Sequence, residues 1–252
     1  QLKVITICKK YKIPQYAIFD TSFYANLPKI ASDYPIPREI VKKYNIKKYG
    51  FHGISHKSVT RGLRGKTISC HLGNGSSITA SINGKAIDTS MGLTPVAGVI
   101  MATRSGDVDP GLVIYLQSKG YDMNKILNHK SGSLAYSQNT DIRDILKNFE
   151  NPQVRAGYEI QIYSIIKYIG SYAAAMNGVD NIIFTAGIGQ HIPKVREDIC
   201  KSLEFLGVKL NKIKNKNNSD IISSNDSKVK LFVKDPNEEE MIAKEVFDKI
   251  HK

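Results

Sequence analysis

Cys70-His71-Leu72-Gly73-Asn74-Gly75-Ser76-Ser77 is the stretch on which the reading of this sequence turns. It lies between two runs of strand character, residues 67–72 and 78–82. Glycine reaches backbone conformations closed to other residues and lacks the Cβ that would block a ligand. Successive free N–H groups in such a loop form a concave anion site. Two readings are open, a tight turn between strands or a loop that holds the phosphates of a nucleotide. We take the phosphate loop as the first reading and ask whether the rest of the chain supplies the other walls of a pocket.

The chain has 252 residues and is 41% apolar, enough for a sizeable core in one large domain or two smaller ones. No run approaches the ~18 apolar residues of a membrane span. The opening residues show no signal peptide. The first residue is Gln1 rather than methionine, and the chain opens on an apolar strand-like pattern at residues 3–8. We therefore expect an N-terminal part of the fold to lie outside this sequence. Cys8, Cys70 and Cys200 are widely spaced, which argues against a disulfide framework or a structural zinc and for a cytoplasmic setting. The net charge of +13 suits either nucleic acid or an anionic small molecule. The lysines are scattered without interleaved aromatics, and the Asn/Lys-rich residues 209–218 read as a solvated loop. Neither a nucleic-acid nor a membrane partner is expected.

Around the loop, other candidates appear in chain order. Residues 16–19 read as a buried strand ending at Asp20, which either faces a ligand crevice or caps the next turn. In Lys48-Tyr49-Gly50-Phe51-His52-Gly53-Ile54-Ser55-His56, two glycines flank Phe51-His52, so His52 is presented on a tight turn. Ser55 is the expected cap of a helix over 55–62. His52 and His56 have the spacing of a metal pair, but no third ligand is near and zinc is not expected. His52 is the functional candidate, as a donor to an anion, and His56 a structural one. Asn83-Gly84 is the strongest hairpin signal in the chain. Arg104, among small residues, either grips a phosphate or carboxylate or pairs with Asp107 or Asp109. A helix opens around Asp141 with Asn139 or Thr140 as its expected cap, and Asp141 either meets an adenine or ribose or serves the helix N-terminus. The periodicity of residues 153–177 predicts a long amphipathic helix packed on a sheet. Residues 181–185 then form a buried strand running into Ala186-Gly187-Ile188-Gly189-Gln190-His191, a second candidate nucleotide loop before a helix over 193–206. A strand at 229–233 and a helix over 238–250 close the chain. The helix-start Glu238 either complements the helix dipole or reaches a magnesium ion on a nucleotide phosphate.

Taken together, these parts make a phosphoryl-transfer site. The motifs Phe19-Asp20-Thr21, Lys48 to His56, His71 to Ser77, Thr103-Arg104-x-Gly106, Phe184 to Gly189 and Asn237-Glu238-Glu239 resemble, in order, those of the acetate kinase family. The resemblance covers essentially the whole chain. It implies the acetate and sugar kinase/Hsp70/actin (ribonuclease H-like) α/β fold, a mixed sheet flanked by helices. Residues 1–25 would then be a remnant of the N-terminal domain and residues 26–252 the C-terminal nucleotide-binding domain. It implies reversible phosphoryl transfer from ATP to acetate, giving ADP and acetyl phosphate, with Mg2+ or Mn2+, in a cytoplasmic homodimer. By motif, Asp20 looks like the active-site acid, and His52 and Arg104 like the transition-state stabilisers. His71, Leu72, Gly73, Asn74 and Gly75 match the phosphate loop, and Asp141, Ile142 and Arg143 the adenosine-side segment. Gly187, Ile188, Gly189, Gln190 and His191 match the second nucleotide loop, and Glu238 the magnesium-associated glutamate. Gln190-His191 departs from the family's usual Glu-Asn, which removes a negative charge. The family's N-terminal Asn for metal and Arg for acetate have no counterpart here, so we expect this chain alone to bind nucleotide better than it catalyses. A butyrate or propionate kinase, or a nucleotide-binding fragment without turnover, is the alternative.

Overall fold

A computed structural model describes residues 2–251. Its helices are α1 (Leu2–Cys8), α2 (Lys29–Ser32), α3 (Arg38–Tyr44) and α4 (Gly53–Thr60) before the sheet begins. After the first three strands come α5 (Pro110–Ser118), α6 (Met123–His129), α7 (Leu134–Ser137), α8 (Ile142–Lys147) and the long α9 (Pro152–Ala175). The C-terminal third adds α10 (Ala186–His191), α11 (Pro193–Lys201), α12 (Lys212–Lys216) and α13 (Glu238–Ile250). The five strands are β1 (Lys66–Leu72), β2 (Ser76–Ile82), β3 (Lys85–Thr89), β4 (Asn181–Thr185) and β5 (Lys230–Val233), in the order β3-β2-β1-β4-β5.

The first three strands form an antiparallel meander, and the turn at Asn83-Gly84 has both residues at positive φ, as a tight hairpin requires. β4 joins β1 in parallel and β5 joins β4 in parallel. A parallel partner needs a long crossover, and the helices between β3 and β4 supply it. The carboxyl ends of β1 and β4 therefore lie side by side, with the glycine loop after one and α10 after the other. That edge of an α/β sheet is where ligands bind.

The sheet is buried on both faces, and the two faces differ in chemistry. Ile68, Cys70 and Leu72 of β1, Ile78 and Ala80 of β2 and Ile182 and Phe184 of β4 point one way. They pack with Tyr158, Ile162, Ile165 and Ile169 of α9 and Ile199 of α11 in one apolar core. The alternate residues Thr67, Ser69 and His71 of β1 and Ser77, Thr79 and Ser81 of β2 point the other way. That face is covered by α4, whose His56 is bonded to Ser69 and Ser77, and α13 is tied to α4 by the Lys57–Glu245 ion pair.

Several sequence expectations are corrected. Residues 3–8 are helical, not a strand, with Val4 and Ile7 exposed. Among the described residues no strand lies beside them, so their β-branched pattern finds no ladder, and local bonds such as Lys9 N–H to Ile5 O satisfy the backbone instead. Residues 16–19 belong to no sheet, with Phe19 extended, and Tyr16 and Phe19 are exposed. Asp20 therefore starts a 3-10 turn, Asp20–Tyr24, rather than ending a strand. Residues 209–218 are not a free loop. Leu210 bridges Ser223, and α12 buries Asn215. α4 begins at Gly53 with His52 at its cap, so Ser55 lies inside the helix, and the helix after Pro193 ends at Lys201. The segment from Ala186 to His191 is a helical turn, entered through Ala186 at φ 64°.

Candidate active site

The glycine loop leaves β1 with few internal ties. Gly73 N–H bonds to Gly75 O at 3.1 Å, and the Ser76 hydroxyl bonds to Gly73 O at 3.1 Å. Among the described residues, the N–H groups of Asn74 and Gly75 donate to no backbone acceptor. Asn74 O accepts from Ala102 N–H, which anchors the loop to the segment that carries Arg104.

Gly75 marks the point of convergence. A Cβ placed there would stand 3.2 Å from Arg104 Nη2 and 3.4 Å from His52 Nε2. Two side-chain nitrogens from separate loops thus meet over one glycine. Arg104 is held by Nη1 donating to Pro95 O at 2.8 Å, which leaves Nη2 toward the loop. It pairs with neither acid weighed for it. Asp107 accepts from Gly98 N–H and Tyr168 OH, and Asp109 caps α5. His52 has φ 55°, a left-handed conformation unusual for a residue with a side chain, and it lies immediately before Gly53. A Cβ on Gly53 would fall 1.9 Å from Asp20 O, so only glycine allows α4 to start against the Asp20 turn. Asp20 Oδ1 accepts from Ile54 N–H at 3.2 Å.

The electrostatics follow from burial. Desolvation lowers His52 to about 4, with Asp20 opposing and Arg104 adding to the shift. His71 stacks on His52 with ring centroids 4.1 Å apart, bonds Ser55 Oγ through Nδ1, and is lowered to about 3, first by burial and then by His52. His56 is buried and lowered for the same reason, which agrees with a structural role. Glu238 is raised by burial, then by the negative charges of Asp20 and Glu239. The Glu238 carboxylate thus feels that of Asp20 across the fold.

A cleft of about 610 Å³ lies beside the loop. It is lined by Gly73 and Asn74, by Thr140 to Arg143, and by Gly187, Ile188, His191 and Ile192. Three segments far apart in sequence share one cavity. Around Gly187 no atom lies within 4 Å of a Cβ position, so its face is open to the cleft. Gly189 serves packing instead, since its Cβ would meet Phe184 at 3.3 Å. Asp141 caps α8 through Arg143 N–H and also grips the Arg143 side chain, with Nη2 to Oδ2 at 2.6 Å. Its carboxyl is lowered to about 2 by those bonds.

Not every expected residue lines the cleft. Leu72 points into the apolar core, Gln190 gives its carbonyl to Arg196, and His71 belongs to the polar layer under α4. Thr140, expected only as a helix cap, and Ile192 line it as well, and the cap of α8 is Asp141 rather than Asn139 or Thr140. Thr140 carried a signal as a hydroxyl next to Asp141; Ile192 carried none. Arg196, wholly buried and bonded to Gly189 O and Gln190 O, was also missed.

A family model described as the Acetokinase family matches residues 1–244. The chain belongs to the acetokinase family. The acetate kinase of Thermosipho africanus is 49% identical over 260 residues, covering 95% of this chain and 64% of that protein. The acetate kinase of Carboxydothermus hydrogenoformans is 46% identical over 263 residues, covering 97% and 66%. The chain spans just under two thirds of the length of these curated relatives. The Porphyromonas gingivalis acetate kinase structure superposes with a TM-score of 0.92 at 37% identity, covering 98% of this chain and 67% of that one. A propionate kinase from Francisella tularensis superposes with a TM-score of 0.91, also at 37% identity, covering 97% and 67%. The fold is that of the acetate and sugar kinase/Hsp70/actin group, a mixed five-stranded sheet flanked by helices.

Proposed function

We propose that this protein is an acetate kinase, transferring the γ-phosphoryl group of ATP reversibly to acetate to give acetyl phosphate and ADP. The observation that carries this is the meeting of Arg104 Nη2 and His52 Nε2 over Gly75 of the glycine loop. In this reading ATP lies in the cleft, with Asp141 to Arg143 on its adenosine side and Gly187 to His191 along its phosphates. Residues 26–252 form the nucleotide-binding domain, and residues 1–25 belong to a first domain. The γ-phosphorus faces Arg104 and His52. A carboxylate oxygen of acetate attacks it in line, the new O–P bond forms, and the bond to the ADP oxygen breaks. Charge that gathers on the phosphoryl oxygens is met by the guanidinium and the imidazole.

Magnesium fits the donor set on one ground. Among the described residues no three His, Cys, Asp or Glu side chains converge as a metal cage. Asp20 and Glu238 are instead two carboxylates near enough for the charge of one to raise the other. Mg2+ takes one or two carboxylates and completes its shell with phosphate and water. When bound it would neutralise the nucleotide phosphates; Asp20 and Glu238 would hold it, and Asp20 also orients the start of α4 through Ile54 N–H.

Replacing Arg104 by alanine tests the reading. Turnover is expected to fall by at least ~100-fold, the scale of losing one transition-state donor, while ADP affinity changes far less. Unchanged turnover would sink the assignment. The superposition on a propionate kinase favours a second reading within the class, a kinase for a longer acyl acid. Acyl phosphate formation with acetate, propionate and butyrate decides between them. We further propose a homodimer, supported by the exposed Leu112, Ile114, Tyr115 and Tyr121 on and beside α5, and a cytoplasmic setting, supported by three free cysteines. Sedimentation velocity tests the first. Among the described residues no helix is long and apolar enough to cross a membrane.

A further inference from the structure

A chain of hydrogen bonds runs behind His52, between α4 and the polar face of the sheet. Ser77 Oγ lies 2.9 Å from His52 Nδ1 and 2.8 Å from His56 Nε2. His56 Nδ1 lies 2.7 Å from Ser69 Oγ. Ser69, His56 and Ser77 are each 0% exposed, so water does not compete for these groups.

A serine hydroxyl carries one proton, and a neutral imidazole carries one N–H and one lone pair. Standing between two ring nitrogens, Ser77 donates to one and accepts from the other. If it donates to His52 Nδ1, the His52 proton is on Nε2. His56 must then donate to Ser77 from Nε2 and accept from Ser69 at Nδ1. If Ser77 donates to His56 instead, both rings carry their proton on Nδ1. The two histidines therefore share one tautomer. A mixed pair either leaves a buried lone pair unmet or turns the Ser77 proton away from both rings. Either fault costs about 1–3 kcal/mol.

We propose that Ser77, His56 and Ser69 are positioning residues that set the tautomer of His52, holding its proton on Nε2 when an anionic phosphoryl group lies against it. Nε2 is the atom that faces Gly75 and Arg104. In this state a neutral His52 donates into the site without taking up a proton. The competing state adds a contact from Ser69 Oγ to Thr79 O at 3.5 Å, at the limit of a hydrogen bond, and turns the Nε2 lone pair toward the side where Arg104 Nη2 lies. A bound phosphoryl oxygen, which accepts only, selects the Nε2–H state. The ligand half of this inference rests on the kinase reading; the coupling of the two rings does not.

The test is a long-range 1H–15N correlation on protein labelled at histidine nitrogen, with the six histidines assigned by single His→Gln variants. Without ligand, His52 and His56 are expected to show the same protonated nitrogen. With magnesium and a non-hydrolysable ATP analogue at saturation, both are expected on Nε2. In Ser77→Ala the His52 tautomer should no longer follow His56, and turnover should fall at least tenfold with analogue affinity within about twofold. Opposite tautomers in the unsubstituted protein, with or without the analogue, would overturn the coupling, and so would Ser77→Ala with both tautomers unchanged. Both rings on Nδ1 with the analogue bound would overturn the role assigned to Nε2. If the analogue does not bind, the kinase reading fails, while the ligand-free spectrum still decides the coupling.

Discussion

Arg196 offers the sharpest test of how the second nucleotide loop is held. Its side chain is 0% exposed and makes five hydrogen bonds. Nε donates to Asn215 Oδ1 at 2.7 Å, and Nη1 donates to Gly189 O at 2.8 Å and Gln190 O at 2.6 Å. Nη2 donates to Asn215 O at 2.8 Å and Asn218 Oδ1 at 2.6 Å. Among the described residues no carboxylate pairs with it, so neutral carbonyls alone replace its water. Burial lowers it to about 10, which leaves it charged at neutral pH. The fork thus satisfies the last carbonyls of α10 and locks α10 to α12. Arg196→Leu keeps an apolar stem, removes every donor and leaves the place of the guanidinium unfilled. Each stranded acceptor costs ~1–3 kcal/mol, but relaxation and entering water make the sum far less than additive. Because the acceptors left behind are neutral, we expect a net loss of ~3–5 kcal/mol, the scale of two or three stranded acceptors. At ~2–4 °C per kcal/mol for a chain of this size, Tm should drop by roughly 6–20 °C in a thermal scan. ADP affinity by calorimetry should weaken as well, because the loop that lines the cleft loses its tether. Arg143→Leu, which removes a largely exposed ion pair, is the stability control and should leave Tm nearly unchanged. A loss below ~1 kcal/mol for Arg196→Leu, with ADP affinity intact, would refute the reasoning.

Gly75→Val should reduce turnover strongly while Tm moves little, because its added methyls enter the space between Arg104 Nη2 and His52 Nε2; full activity in a coupled assay would show that no phosphoryl group passes there. Gly53→Ala should destabilise by about 1–3 kcal/mol or more in urea titration, since a Cβ would collide with Asp20 O, and an unshifted midpoint would contradict the packing of α4 on that turn. His52 and His71 are lowered to about 4 and about 3, below their unfolded value, so the unfolded chain takes up protons first as pH falls. Stability from these rings is full above about pH 6.5 and is lost toward the folded values, ~2 kcal/mol per ring between pH 7 and 5, with Glu238 acting in the opposite sense. Urea midpoints that do not fall between pH 7 and 5 would contradict this. Glu238→Gln should raise the magnesium concentration needed for half-maximal turnover and leave Tm unchanged or slightly higher, because it relieves the repulsion from Asp20; an unchanged magnesium titration would remove Glu238 from the metal site.

What could be read from the sequence was what local chemistry decides. The Asn83-Gly84 hairpin, the loop after β1 and the helix over 238–250 all depend on residues close in the chain, and all stand where expected. Residues 3–8 failed because a strand is made by its neighbour, and a run of β-branched residues says nothing about whether a neighbour exists. Residues 209–218 failed because composition was read as exposure, while Asn215 is buried as an acceptor for Arg196. Arg196 had a legible signal after all. It stands four residues before the buried Cys200 and shares the inward side of α11 with it, where a solvated arginine would not be found. The convergence of Arg104 and His52 on Gly75 could not be seen in sequence spacing; it depends on α4 and the Arg104 segment packing on the same loop.

The division of the sheet into two buried faces explains why this fold holds a site of this kind. One face carries the apolar core and fixes the strands. The other carries hydroxyls, an amide and imidazoles, and hydrogen bonds set its geometry more narrowly than apolar packing would. Tyr24 OH meets Thr79 Oγ1 at 3.0 Å, Thr79 meets Thr89 at 3.0 Å, and Asn181 reaches Thr67 at 3.1 Å. With the Ser69, His56 and Ser77 chain, these bonds span the polar face up to His52. Thr185 ends β4 on the same face, in register with His71, and its hydroxyl has no partner among the described residues. A buried hydroxyl without a partner is destabilising by itself. Its position at the ligand end of β4 is where a protein that binds an anion would keep a donor uncommitted.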